Sequence, residues 1–87
     1  MAILVDGAHW PAHDRHWCHL VSSESLDELH GFAAALGVPE RAFDRDHYDI
    51  HEELRAAAID RGALPVSARE LVEALHRSGL RRQPGLS

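Results

Sequence analysis

Apolar and polar positions alternate along this chain at two different periods, and each change of period marks an element. Ala2-Ile3-Leu4-Val5 is a continuous apolar run closed by Asp6-Gly7, the pattern of a short buried strand followed by a turn. From Ala8 to Trp17, His, Trp, Pro and Asp follow one another without periodicity, which reads as a loop in which Pro11 can open one helical turn. Period two returns at Trp17–Val21, where Cys18 and Leu20 point to one face and His19 and Val21 to the other.

The period then lengthens. Ser25 and Glu28 have capping-box spacing, and Leu26, Leu29, Phe32, Ala33 and Leu36 recur at helical intervals until Gly37 and Pro39 stop them. Arg41 to Asp49 is irregular, anchored by Phe43 and Tyr48, with room for a short strand around Tyr48. A second helix is expected from about His51 to Arg61, carried by Leu54, Ala57, Ala58 and Ile59 and ended by Gly62. Ala63-Leu64-Pro65-Val66 fits a brief strand at an edge, because Pro65 cannot donate to a ladder. Ser67 and Glu70 repeat the capping box, and Leu71, Val72 and Leu75 face the core before Gly79. Strands alternating with helices predict an α/β fold, a small mostly parallel three- to four-stranded sheet with three helices, as one domain over residues 1–80 with a frayed tail at 81–87. In such a sheet ligands bind beyond the carboxyl ends of the strands, where Asp6, Ser22, Ser23 and Ser67 would gather.

Composition narrows the function classes. The formal charge of −5 over 87 residues disfavours a nucleic-acid or anionic-membrane binder. All nine basic residues are Arg, so Schiff-base chemistry and a P-loop lysine are excluded. Cys18 is the lone cysteine, which fits a reducing cytoplasm. The N-terminal apolar run stops at Asp6 without a charged leader, so neither a signal peptide nor a membrane span is expected. A core this small gains from self-association, so a homodimer is compatible with the sequence.

Eight histidines remain to be explained. His9, His13, His16 and His19 fall within eleven positions, but Pro11 and the strand at His19 forbid one helix through all four. No Cys pair or His-Glu-x-x-His pattern is present, which disfavours a structural zinc finger or a zincin-like site. The pieces Val5-Asp6, Trp17-Cys-His-Leu20, Asp27-Glu-Leu-His30, His47-Tyr-Asp49 and Gly62-Ala-Leu-Pro-Val-Ser-Ala-Arg-Glu70 resemble a family of small bacterial and phage proteins, domain of unknown function 4031. The resemblance runs to about Leu80. It implies a compact cytoplasmic domain and highlights Asp6, His19, His30, His47, Asp49 and Arg69, while supplying no reaction.

In an extended segment His47 and Asp49 point to the same side and can converge on one ligand. Imidazole and carboxylate suit zinc, manganese or iron(II), and equally an acid/base pair. The structural alternative is that Asp49 caps the following helix and His47 packs on Tyr48. His19, within a strand, is either a satisfied core histidine or a ligand facing Asp6. Arg69 opposes the dipole in the first turn of the third helix, which suits an anion site or a salt bridge to Asp6, Asp49 or Glu73. These readings give a divalent-metal hydrolase-like site, with His19, His47 and Asp49 as ligands and Asp6 and Arg69 as catalytic groups acting on a small anionic phosphoester. The alternative is a non-catalytic adaptor that binds a protein partner or small ligand at the same polar edge. Because His9, His13 and His16 fall in the loop, outside the family-like positions, replacing all three with Gln should lower the melting temperature by less than ~5 °C; a larger drop in a thermal melt would place the site among them.

Overall fold

The computed structural model describes residues 2–7, 10–12 and 15–80. Six strands and three α-helices follow in the order β1 (Ile3–Val5), β2 (Trp10–Ala12), β3 (Arg15–Ser22), α1 (Leu26–Leu36), β4 (Phe43–Asp44), β5 (His47–His51), α2 (Glu52–Asp60), β6 (Leu64–Pro65) and α3 (Ala68–Ser78), with a short 3-10 turn at Glu40–Ala42. Five strands form the main path of the sheet, in the order β4-β5-β3-β1-β6, and β2 pairs with β3 off that path.

The α/β class and the three helices agree with the sequence pattern; the strand number and directions do not, since five strands rather than three or four form the main path. The sheet is mixed and mostly antiparallel, and only β1 and β6 pair in parallel. Chain length is the physical reason. A parallel return requires a crossover of roughly a dozen residues or more, and nine residues separate Val5 from Arg15. Part of that short stretch is itself strand. Trp10 pairs with Trp17 and Ala12 with Arg15, so the segment expected to be a loop with a helical turn instead holds β2 and the start of β3. His9 and His13 lie outside the described residues, and the expected tail 81–87 does too.

The helices are as the caps dictate. Ser25 accepts from the Glu28 N–H at the start of α1, and Gly37, at φ 87°, closes it in the left-handed region that glycine enters without a Cβ penalty. Ser67 and Glu70 complete a reciprocal capping box at α3. The strands bury alternate residues on opposite faces. Ile3, Val5, Cys18, Leu20, Tyr48 and Ile50 pack against α1 and α2, while Leu4 and Val21 pack against Leu71, Ala74 and Leu75 of α3. The result is three layers, two helices, the sheet and one helix.

Antiparallel pairing also redistributes the polar residues expected at one edge. Ser22 lies opposite Ile3, at the far end of β1 from Asp6, and receives the Glu24 and Ser25 N–H groups. Among the described residues no helix is long and apolar enough to cross a membrane.

Cys18 is fully buried. Burial, and then the Asp6 carboxylate, push its thiol up to about 11 from 9.0. The neutral thiol therefore favours the folded state fully below pH 9, and this contribution is lost as pH rises towards 11. Thiol titration at pH 8 should show no reaction in native protein and one thiol per chain after denaturation; rapid native labelling would contradict this packing.

Candidate functional site

Alternation along the strands sets the site. Leu4 and Val21 face α3, so Asp6, two residues on from Leu4, and His19, two before Val21, share their side of the sheet. On β5 the buried Tyr48 and Ile50 face the other helices, which turns His47 and Asp49 towards α3. His19 and Asp49 are direct cross-strand partners. Residues about thirty positions apart thus meet on one face, beneath the N-terminal turn of α3.

Asp6 fixes the first imidazole. Its carboxylate accepts the His19 backbone N–H at 2.6 Å and lies 2.7 Å from His19 Nδ1. The Asp6 N–H donates to the His19 carbonyl at 3.2 Å, while the Asp6 carbonyl receives Arg55 Nε at 2.8 Å. Asp46 fixes the second imidazole: its carboxylate is 2.7 Å from His47 Nδ1, and the residue is buried. A carboxylate can only accept, so each Nδ1 carries a hydrogen, and in the neutral ring the lone pair is left on Nε2.

Both Nε2 atoms turn to Asp49. His47 Nε2 lies 3.2 Å from Asp49 Oδ1 and His19 Nε2 lies 4.0 Å from it. The two rings meet edge to face, centroids 5.0 Å apart. One ligand atom from each of His19, His47 and Asp49 falls within 4.8 Å of the others. Asp49 Oδ1 is buried and accepts no hydrogen bond among the described residues. Two imidazole nitrogens thus converge on a buried carboxylate oxygen that accepts no hydrogen bond, an arrangement that costs free energy unless a cation or proton joins it. A tetrahedral ion with ligands at about 2.1 Å sets its donors roughly 3.4 Å apart, within the range these distances span.

Around this trio a cavity of about 110 Å³ is lined by Asp6, His19 and His47 below and by Ala68, Leu71 and Val72 of α3 above. Partial exposure of His19 and Asp49, at 30% and 28% of their side chains, leaves the trio accessible from solvent.

Other sequence candidates fall elsewhere. Arg69 is exposed and sits 3.9 Å from Glu73, so of its alternatives the structure shows the salt bridge along α3 and places it outside the cluster. Asp49 does not cap α2, whose N-cap is His51 without a side-chain bond. His51 stacks on Trp17 at 4.2 Å, and His16 is 3.8 Å from Glu52. His30 lies on α1, where Nδ1 shares a 2.6 Å hydrogen bond with the buried Tyr48 hydroxyl and the ring packs on Phe43. That contact steadies β5 from behind. Burial, and to a lesser degree Glu40, raise the Tyr48 phenol, which keeps it protonated as a partner for His30.

Sequence reasoning missed Asp46 and Arg55. The Asp46-His47 dipeptide carried a signal, but adjacent residues on a strand point to opposite faces; Asp46 reaches His47 only because it sits in the turn after Arg45, whose φ of 63° reverses the chain. Arg55 lies on α2, where no sequence pattern singles it out.

Fold and site together define a three-layer α/β protein with a His-His-Asp cluster in which each histidine is braced by a carboxylate. The chain belongs to the family described as protein of unknown function (DUF4031), which it matches over residues 3–78. None of the curated proteins and none of the solved structures matches it.

The converging lone pairs generate a stability prediction. Asp49→Asn places an amide donor beside the two Nε2 acceptors, so the metal-free variant should melt at or above the wild-type temperature, as substitutions at functional sites often do. A loss of more than ~5 °C, on the order of 1 kcal/mol for a domain of this size, would mean that the carboxylate is a structural partner instead.

Proposed function

We propose that His19, His47 and Asp49 hold one divalent ion and that the protein is a metal-assisted hydrolase. The observation that carries this reading is the orphaned Asp49 Oδ1 facing two imidazoles whose Nδ1 atoms are each held by a carboxylate. Carboxylate–histidine–metal relays are the usual means of orienting a ligand and raising its basicity, and two of them at one point have no comparably economical structural explanation.

Charge supports the same reading. Asp6, Asp46 and Asp49 bring three carboxylates to two histidines, and among the described residues Arg55 donates to the Asp6 main-chain carbonyl rather than to a carboxylate. A divalent cation offsets that excess. Two imidazoles and one carboxylate suit zinc, manganese or iron(II), and three protein ligands leave a coordination position for water. Bound water in such a site ionises near neutral pH and becomes a nucleophile, the chemistry that would make the centre hydrolytic. The phosphoester expected from the sequence relied on Arg69, which stands apart, so the proposal is confined to metal-activated water.

The test is metal analysis with titration calorimetry on chelator-stripped protein. One zinc or manganese ion per chain is expected. His19→Ala, His47→Ala and Asp49→Ala should each weaken binding by 100-fold or more, and Asp6→Asn and Asp46→Asn by roughly 10- to 100-fold. His76→Gln, on the outer side of α3, should change nothing. Equal binding by all of these variants, or none by wild type, would remove the metal reading and leave the polar face as the docking site of a non-catalytic adaptor.

A further inference from the structure

The metal cluster has two flanks, and they differ in size. The cavity under α3, at about 110 Å³, has room for three or four waters, since each takes about 30 Å³ in the liquid. It can admit a bound water and a small reacting group. On the other flank lies an open groove of about 600 Å³, within the volume range of small-molecule sites. Asp49 lines this groove and is also one of the clustered ligands, so it joins the groove to the cluster, while His19 and His47 line the small cavity instead.

The floor of the groove is apolar. Val38, Phe43, Ile50 and Leu54 form it, with Trp17 at its edge. Trp17 is held by its 4.2 Å stack on His51. Charged groups occur at the rim, where Arg41 and Asp44 are exposed, and at Asp49. An apolar floor leading to one carboxylate at a metal centre suits a ligand with a hydrocarbon body and one polar head.

An extended peptide fits less well. Strand addition requires a free edge, and β4 already pairs with His47 and Tyr48, which leaves three residues of β5, Asp49 to His51, before α2 begins. Three residues supply too little main-chain pairing to hold a strand by backbone bonds.

We propose that this groove holds the hydrocarbon part of the substrate while its head reaches the metal at Asp49, so that the substrate class is a compound with a medium-length hydrocarbon tail and one polar head that binds the ion. This rests on the metal reading above. It adds that affinity is set by the tail.

The experiment uses the full chain loaded with zinc, and straight-chain hydroxamates of two, four, six and eight carbons, whose common head binds the ion. Affinity by calorimetry should rise two- to fourfold per added methylene, the upper value being the equivalent of ~0.8 kcal/mol for full burial, so the eight-carbon probe should bind at least ~50-fold more tightly than the two-carbon one. Ala42→Trp, which fills the groove from the 3-10 turn, should abolish the length dependence; unchanged zinc affinity in that variant shows that it is folded. Equal affinity for all four probes, with zinc bound, would overturn the groove while leaving the metal centre intact. A gain that stops at four carbons would assign the tail to the small cavity under α3, and would overturn it also. Failure of the wild-type protein to take up zinc would remove the metal reading itself, and this proposal with it.

Discussion

A side-chain carboxylate standing in for a main-chain carbonyl is the contact on which the arrangement of this protein depends. Opposite His19 an ordinary antiparallel ladder would pair the His19 N–H with the Asp6 carbonyl. Here the Asp6 side chain takes that hydrogen and the ring hydrogen of the same histidine, and the displaced carbonyl turns to Arg55 on α2. This ends β1. It also frees the following chain to rejoin β3 at Trp17, five residues on from Val5 against three along β3, two residues out of register. One nearly fully buried acid thus terminates a strand, orients an imidazole and anchors a helix from the opposite face of the sheet.

The cost of burying charge explains the company the carboxylates keep. A buried carboxylate without partners is strongly disfavoured. Asp6 has three hydrogen bonds through its side chain and main-chain carbonyl, and Asp46 is tied to His47. Asp49 breaks the rule, through the one oxygen that faces both rings. Locally unsatisfied groups in an otherwise well-satisfied fold mark places where something other than folding set the residue.

What could be read from the sequence, and what could not, follows from the range of each interaction. Helices α1 and α3 were legible to their ends because Ser25, Gly37, Ser67, Glu70 and Gly79 act within one turn. The faces of His19, His47 and Asp49 were legible because alternation depends only on neighbours along a strand. Strand direction was not, since it depends on whether the chain between two strands can span a crossover, and the residues between Val5 and Arg15 were read as loop when they include a strand. For Arg69 the sequence left an anion site and a salt bridge both open, because its position against the helix dipole is a weak signal that an exposed i,i+4 partner offsets; the structure shows the contact to Glu73. Asp46 was overlooked because its reach depends on a turn geometry that an arginine, rather than a glycine, adopts.

β5 carries two messages interleaved at single-residue spacing. Its even-numbered residues, Tyr48 and Ile50, belong to the core, and its odd-numbered ones, His47, Asp49 and His51, to the opposite face. An insertion of one residue in the turn at Arg45-Asp46 would exchange the two sets, driving two imidazoles and a carboxylate into hydrocarbon and turning a tyrosine and an isoleucine out. The length of that turn is thereby as constrained as any side chain in the cluster. This hairpin can therefore vary by substitution, but not by a change in the length of its turn.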